Sequence, residues 1–403
     1  MSYDVATLRS RFPALAAGAA HFDGPGGSQV PDAVAEAVAT TLLSPLANRG
    51  RVTAAERHAD GIVLRARAAM GDLLNADSRG IVFGRSMTQL TYDLARALAA
   101  TWGPGDEVVV TSLDHDANIR PWLLAAEISG ATVRWAEFDP ETAELTADHV
   151  AAVLSSRTKL VAVTGSSNIL GTRPPVAEIT RLARAAGALA FVDGVHLTAH
   201  VPVDVAELGA DFFACSPYKF LGPHCGVLAA HPELLEGLRP AKLAPSTDDV
   251  PERFELGTLP YELLAGTTAA VGFLADLSGK GSEDAPRRER IVAGMTAVEE
   301  HETPLLARIE AGLAQLPGVV VRSRAAHRTP TLLVEFPDGD PQKAYRYLAQ
   351  RNVNAPAGSF YALEASRRLG LGDTGSLRIG LAPYTNDDDV DRLLRALGDF
   401  VGL

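Results

Sequence analysis

Between residues 61 and 196 the chain alternates two hydrophobic textures. GIVLRARAAMGDLL (61–74), TQLTYDLARALAATW (88–102), NIRPWLLAAEISG (118–130), ADHVAAVLSS (147–156) and PVAEITRLARAAG (175–187) repeat apolar residues every three or four positions. That spacing predicts helices with one buried face. Between them lie short runs of a different kind: GIVFG (80–84), DEVVVTS (106–112), TVRWAEF (132–138), TKLVAVTGSS (158–167) and LAFVDGVH (189–196). DFFACS (211–216) continues the series. Mostly unbroken apolar runs of this length predict strands buried on both faces. Strands joined by helices in regular alternation define an α/β fold with a mainly parallel sheet covered by helices.

The texture changes after about residue 266. A polar loop, LSGKGSEDAPRRER, precedes a long helical stretch to about residue 316, then strands in GVVVRSR and TPTLLVEF, a helix in PQKAYRYLAQR, and a strand in SLRIG. The last helix begins in a run of three aspartates at 387–389, favoured in a first turn, with Thr385 or Asn386 as its cap. This reads as a smaller α+β domain. The division expected is a large domain over 17–266 and a small domain made of 1–16 and 267–403. The first 16 residues resemble a short amphipathic helix ending at Phe12-Pro13.

Composition narrows the function. The 403 residues carry a net charge of −12 with scattered arginines, which argues against a nucleic-acid or membrane-surface partner. No uncharged apolar run approaches the ~20 residues of a membrane span, and the N-terminus lacks a signal peptide's apolar stretch. Two cysteines, Cys215 and Cys225, are too few for a secreted disulfide framework. A cytoplasmic protein is expected.

The lysines carry the first chemical hint. Only five of the 37 Lys plus Arg are lysines, and one of them, Lys219, sits between apolar stretches in ACSPYKFLGPHCG. Arg stays charged, whereas a buried Lys can become a neutral, nucleophilic amine. Four further polar signatures follow strands: GRSMT (84–88), LDHDAN (113–118), SSN (166–168) and VDGVH (192–196). GRSMT precedes a helix, so its backbone N–H groups and the Ser86 and Thr88 hydroxyls suit a phosphate. Asp193 closes a buried strand, where an ionised carboxylate would need a cationic partner. A phosphate, a ring nitrogen wanting a carboxylate and an aldehyde wanting a lysine together describe pyridoxal 5'-phosphate.

With these motifs in place the chain resembles the class V aminotransferases among the fold-type I pyridoxal-phosphate enzymes, on the cysteine desulfurase-like branch. The resemblance runs from HFDGPGGSQVP (21–31) to SLRIGLAPYTNDDDVDRLL (376–394). It implies Lys219 as the Schiff-base lysine and Ser216 and Tyr218 at the phosphate, beside Ser86, Met87 and Thr88. It implies His115 stacked on the pyridine ring, Asn168 and His196 near the ring oxygen, and Asp193 on the ring nitrogen. FELGTLPYE (254–262) resembles a segment that lends a threonine, here Thr258, to the neighbouring subunit of a homodimer. LRIG resembles the substrate-carboxylate motif, giving Arg378.

Two departures bear on the reaction. Cysteine desulfurases carry a persulfide cysteine on a mobile loop before the carboxylate-binding arginine; here that stretch, 352–378, has none. Desulfurases usually have Gln where this chain has His196, which is more like kynureninases and epimerase-type relatives. The expected activity is β-elimination or C–S/C–Se lyase chemistry on a small amino acid without an enzyme persulfide; transamination is the alternative. Other readings carry less. HLTAH (196–200) lacks the Glu of a zincin and follows a strand, and GPGG (24–27) does not open a helix after a strand. His224 and Cys225 are adjacent and cannot form a hydrolytic pair. A non-catalytic, cofactor-binding regulator would leave the catalytic handles unexplained.

Overall fold

The computed structural model describes residues 3–278, 285–337 and 339–402. Its large sheet has seven strands: β1 (Ile81–Gly84), β2 (Glu107–Thr111), β3 (Thr132–Ala136), β4 (Thr158–Thr164), β5 (Leu189–Asp193), β6 (Phe212–Cys215) and β7 (Gly226–Ala230). Their spatial order is β1-β7-β6-β5-β4-β2-β3. Only β7 runs antiparallel, to both of its neighbours; the remaining pairs are parallel. It is the α/β architecture that the alternating textures predict.

The continuous apolar runs have a direct structural cause. Val109, Val161, Val163, Val192 and Phe213 join a core on one face, which includes the helices Ala54–Leu74 and Tyr261–Asp276. Their neighbours Val108, Val110, Leu160, Ala162, Phe191 and Phe212 join a second core on the other face, with the helices Met87–Ala99 and Arg120–Ser129. Successive side chains point to opposite faces, so burial of both keeps the strand centres apolar. β3, at the sheet edge, has exposed and partly buried positions alternating over its first four residues.

A second sheet holds β8 (Val320–Val321), β9 (Thr331–Glu335), β10 (Ala357–Gly358) and β11 (Ser376–Gly380), in the order β10-β11-β9-β8, all antiparallel. A third core packs it against the helices Pro341–Ala349 and Asp387–Val401. Ala20–His21 pairs in parallel with Val353–Asn354.

Local details refine the sequence reading. The strand GVLAA at 226–230 is a strand that periodicity does not single out, because a short apolar run after a Gly-Pro turn fits several states. The N-terminal segment is a one-turn helix, Val5–Arg9, followed by a 3-10 turn at Pro13–Ala17. Asn386 caps the last helix in a reciprocal capping box with Asp389, while the Thr385 hydroxyl instead accepts from the Ala382 N–H at 3.0 Å. The expected polar loop lies partly outside the described residues, and its RRER portion starts the helix Arg287–Leu313. There Arg287 reaches Asp72 at 2.6 Å and Arg288 the Leu73 carbonyl at 2.8 Å. No described helix is long and apolar enough to cross a membrane.

Candidate active site

The strand order reverses between β2 and β4, and ligands of α/β sheets sit beyond strand C-termini at such a switch point. There the turns after β1, β2, β4, β5 and β6 line a cavity. Ser86, Met87 and Thr88 line one end, His115 and Asn168 the flank. Asp193, His196, Ser216, Tyr218 and Lys219 complete it. Arg378 lines an adjoining outer chamber together with His115, Asn168, Tyr218 and Lys219. Thr258 lines neither.

Lys219 ends a 3-10 turn, Pro217–Lys219, which a buried proline starts after β6. Its ammonium donates to the Pro25 carbonyl and lies 4.8 Å from the Tyr218 ring centroid. Burial, then the nearby Arg378 charge, presses Lys219 down to about 7, against a smaller pull from Asp193. At neutral pH a large share of it is therefore the free amine, which the usual lysine is not.

Asp193 is buried, and its Oδ1 accepts the Val195 N–H at 3.0 Å. No arginine or lysine pairs with it among the described residues, and burial pushes it up to about 6. A cationic ring nitrogen would restore its charge. His115 is a neutral imidazole: burial, Lys219 and Arg378 hold it down at about 4. Its Nδ1 accepts the Ala117 N–H at 3.0 Å, so the proton resides on Nε2. Tyr361 stacks on it with ring centroids 5.6 Å apart.

The helix Met87–Ala99 points its N-terminus at the cavity. Ser86 caps it by accepting the Gln89 N–H at 3.1 Å, which leaves the hydroxyl proton free to donate. Beneath it, Gly226 of β7 has no room for a side chain: a Cβ would lie 2.2 Å from the Ser86 carbonyl carbon. Gly194 is confined in the same way, 1.9 Å from the Phe213 ring. These glycines let two turns approach the cavity closely.

Arg378 lies on β11 and is buried, not on the surface beside the acidic run; Asp389 of that run pairs with Arg9 instead. Its Nη1 donates to the Asn168 carbonyl at 3.0 Å, and the Phe360 ring covers the guanidinium at 3.8 Å. Nε has no partner within the protein. Burial lowers Arg378 to about 9, so it stays cationic at neutral pH.

Several contributors were not legible in the sequence. Phe360 and Tyr361 both hold left-handed backbone, φ 52° and 58°, and wall the outer chamber. The Asn168 amide donates to the Phe360 carbonyl at 2.9 Å, and the Asp116 N–H to the Tyr361 carbonyl at 2.6 Å. Asp114 is buried behind His115, hydrogen-bonded to Thr111 and, at 2.7 Å, to Asn118. Its place in LDHDAN was visible, but nothing in the motif separates a buried structural acid from a catalytic one.

A buried lysine near neutrality, an uncompensated buried carboxylate, a helix N-terminus and three buried, unpartnered polar atoms (His196 Nδ1, Asn168 Oδ1, Arg378 Nε) fit pyridoxal phosphate and an amino-acid carboxylate. Fold and cavity together define a fold-type I pyridoxal-phosphate enzyme. Residues 20–393 match the family model of the class-V aminotransferases, and the chain belongs to that family. It is 30% identical to the cysteine desulfurase CsdA of Escherichia coli, over 98% of this chain and 97% of that one. An aminotransferase-like protein, FGM3, of Gibberella zeae is 31% identical over 98% of both. The crystal structure of the E. coli CsdA in its S-sulfonic acid form superposes with a TM-score of 0.87, covering 100% of this chain and 99% of that one at 28% identity. The apo cysteine desulfurase of Thermococcus onnurineus NA1 gives 0.89 at 26% identity, covering 99% and 98%. The chain is thus a pyridoxal-phosphate-dependent, cysteine desulfurase-like enzyme.

Proposed function

We propose that this enzyme is a cytoplasmic homodimer that eliminates a β-substituent, sulfur or selenium foremost, from a small amino acid without passing it to a cysteine of its own. The observation that carries the reading is a cavity suited to the cofactor in a chain whose two thiols are both buried and line neither chamber. Cys225 contacts the Thr267 hydroxyl at 3.5 Å, and burial pushes it up to about 11. Cys215 is pushed well above the ordinary thiol range, again by burial first. Neither lines the cavity. Both are unpaired, which suits a reducing compartment.

In this reading Lys219 carries the cofactor covalently, and Ser216, Tyr218, Ser86 and the backbone at Met87 and Thr88 receive its phosphate. Asp193 would face the ring nitrogen, Asn168 and His196 the ring oxygen, and His115 the ring face. When bound, pyridoxal phosphate supplies an aldehyde for amines and a cationic ring that withdraws electrons from the α-carbon. The side chains do the rest. Arg378 grips the substrate carboxylate and so orients the Cα–H bond; Phe360 holds the guanidinium flat. Once the substrate amine has displaced it from the aldehyde, the freed Lys219 Nζ would take the α-proton while the bond from Cβ to the leaving group breaks and the leaving group departs with that bond's electron pair. Neutral His115 adds no second positive charge beside it.

The dimer rests on the segment after the 3-10 turn Glu252–Phe254. Glu255 ties its base down, accepting from Phe83 N–H and Arg67, both at 2.9 Å. Beyond that anchor Leu256, Gly257 and Thr258 are exposed, so Thr258 is free to reach a second copy's phosphate.

Mass spectrometry of products from a panel of β-substituted amino acids, with and without an α-keto acid, tests the reaction. Keto-acid product released without an acceptor, and equally by Cys225→Ala, is expected. Turnover that requires the acceptor would mean transamination, and a persulfide trapped on Cys225 would overturn the reading.

Arg378→Lys and Arg378→Ala are expected to raise KM for amino acids about tenfold or more while cofactor absorbance is unchanged. A bidentate charge-assisted pair is worth roughly 1.5–3 kcal/mol, and Lys lacks the planar fork. Steady-state kinetics beside absorbance spectra check this.

A further inference from the structure

The HLTAH motif leads from cavity-lining His196 to a buried polar pair, His200 and Glu302, that the reaction above leaves unused. His196 and His200 lie four residues apart on either side of a 3-10 turn, Leu197–Ala199, and their rings meet edge to face at 4.9 Å. His200 Nδ1 lies 2.9 Å from Glu302 Oε2, which comes from the middle of the helix Arg287–Leu313. At the other end, His196 Nε2 lies 2.9 Å from the Thr331 hydroxyl at the start of β9. All three side chains are buried: His196 and His200 are each 3% exposed, Glu302 only 1%.

This arrangement is a poor way to stabilise a core. Glu302 Oε1 has no hydrogen-bond partner, and no arginine or lysine pairs with Glu302 among the described residues. A buried pair of this kind is often replaceable by apolar side chains at no loss of stability. Tyr3 and Tyr384 also face the carboxylate, and they are neutral, driven upward chiefly by burial. The trio therefore has a cavity-facing histidine at one end and an isolated acid at the other. Of the two His196 nitrogens, Nε2 is taken by Thr331, which leaves Nδ1 as the unpartnered buried atom of a cavity-lining ring.

We propose that Glu302 and His200 form a positioning pair for His196. Glu302 fixes the plane of the His200 ring, and the edge-to-face contact then fixes His196 with Nδ1 presented to the cavity. The purpose of this rests on the cofactor-site reading above: a ring oxygen beside His196 needs one fixed nitrogen, not a rotating imidazole. Neutrality of His196 agrees, since burial first, then the charges of His200, Lys219 and Arg378, hold it well below the ordinary histidine range. Outer partners of functional histidines, best measured at metal sites, typically contribute about 10–100-fold.

The test is long-range proton–nitrogen NMR of the full chain labelled in histidine, with His196 assigned by the signals lost in His196→Gln. One neutral His196 tautomer is expected in the parent protein, with and without pyridoxal phosphate. Glu302→Leu should keep the far-ultraviolet spectrum but give a His196 averaged between tautomers, and in the loaded enzyme kcat about tenfold lower at unchanged KM. Glu302→Gln, which retains a hydrogen bond to His200, should restore the single tautomer. If Glu302→Leu fails to fold, His200→Phe is read in the same way. A single, unchanged His196 tautomer in whichever of these variants folds would overturn the proposal. Failure of the parent chain to take up pyridoxal phosphate would instead sink the functional reading, leaving the tautomer result to stand alone.

Discussion

Replacing Lys219 with alanine is expected to abolish the visible absorbance of the bound cofactor and lower turnover by about 1,000-fold or more, with the fold intact. In the proposed reaction two roles would be lost together, covalent attachment and proton transfer at Cα, and positioned acid–base groups alone contribute about 10²–10⁴. The side chain lies in a cavity and not in a core, so its removal opens no void that packing must fill. A cofactor still attached to the variant after borohydride reduction would show that another residue holds it. A second measurement uses the parent protein. Attachment needs the neutral amine, and burial places Lys219 at about 7. Capture of added cofactor should accelerate as pH rises through about 7 and then level off, whereas an ordinary lysine would keep accelerating toward 10.

Asp193→Asn should retain the cofactor yet lose about 100-fold or more in kcat, since a single preorganised charge at a reacting centre is commonly worth that much. The same variant has an effect without cofactor. In the folded chain Asp193 sits at about 6, above its ordinary 3.8. Below the lower value both folded and unfolded chains are protonated and the site costs nothing. As pH rises from about 4 to 6 the unfolded chain ionises first, so stability falls, and the full loss persists above 6. The variant should thus be more stable than the parent in cofactor-free thermal melts at pH 8, and the difference should shrink toward pH 4. Turnover near that of the parent would remove Asp193 from the ring nitrogen.

The strands of the large sheet were legible because burial on both faces forces an uninterrupted apolar run, as in LVAVT and LAFV. Lys219, Asp193 and the GRSMT turn were legible because each directly follows such a strand, and the rim where strands end is set by topology. What stayed hidden reaches the cavity by long-range folding. Glu302 looks like any helix glutamate until His200, 102 positions earlier, is seen against it. Phe360 and Tyr361 read as loop aromatics, and what reveals that they form a wall is the Asn168 amide, 192 positions before Phe360, together with the Asp116 N–H on the Tyr361 carbonyl. Thr331 is one polar residue opening a strand, and its partner His196 lies 135 positions back. Periodicity reports which face is buried, not which distant side chain it meets.

The two confined glycines say where this scaffold is free to diversify. On the phosphate side any substitution at Gly226 or Gly194 would drive a methyl into backbone or ring at 2.2 or 1.9 Å, so descent with modification has almost no latitude there. Farther along the chain Gly370 and Gly372 face open space, but their left-handed backbone, φ 78° and 56°, still resists a side chain. Latitude in that loop lies instead with exposed non-glycine positions such as Asp373 and Thr374. A lineage could lose or acquire a sulfur-carrying side chain there, or exchange one leaving group for another, while the half that holds the cofactor stayed as it was.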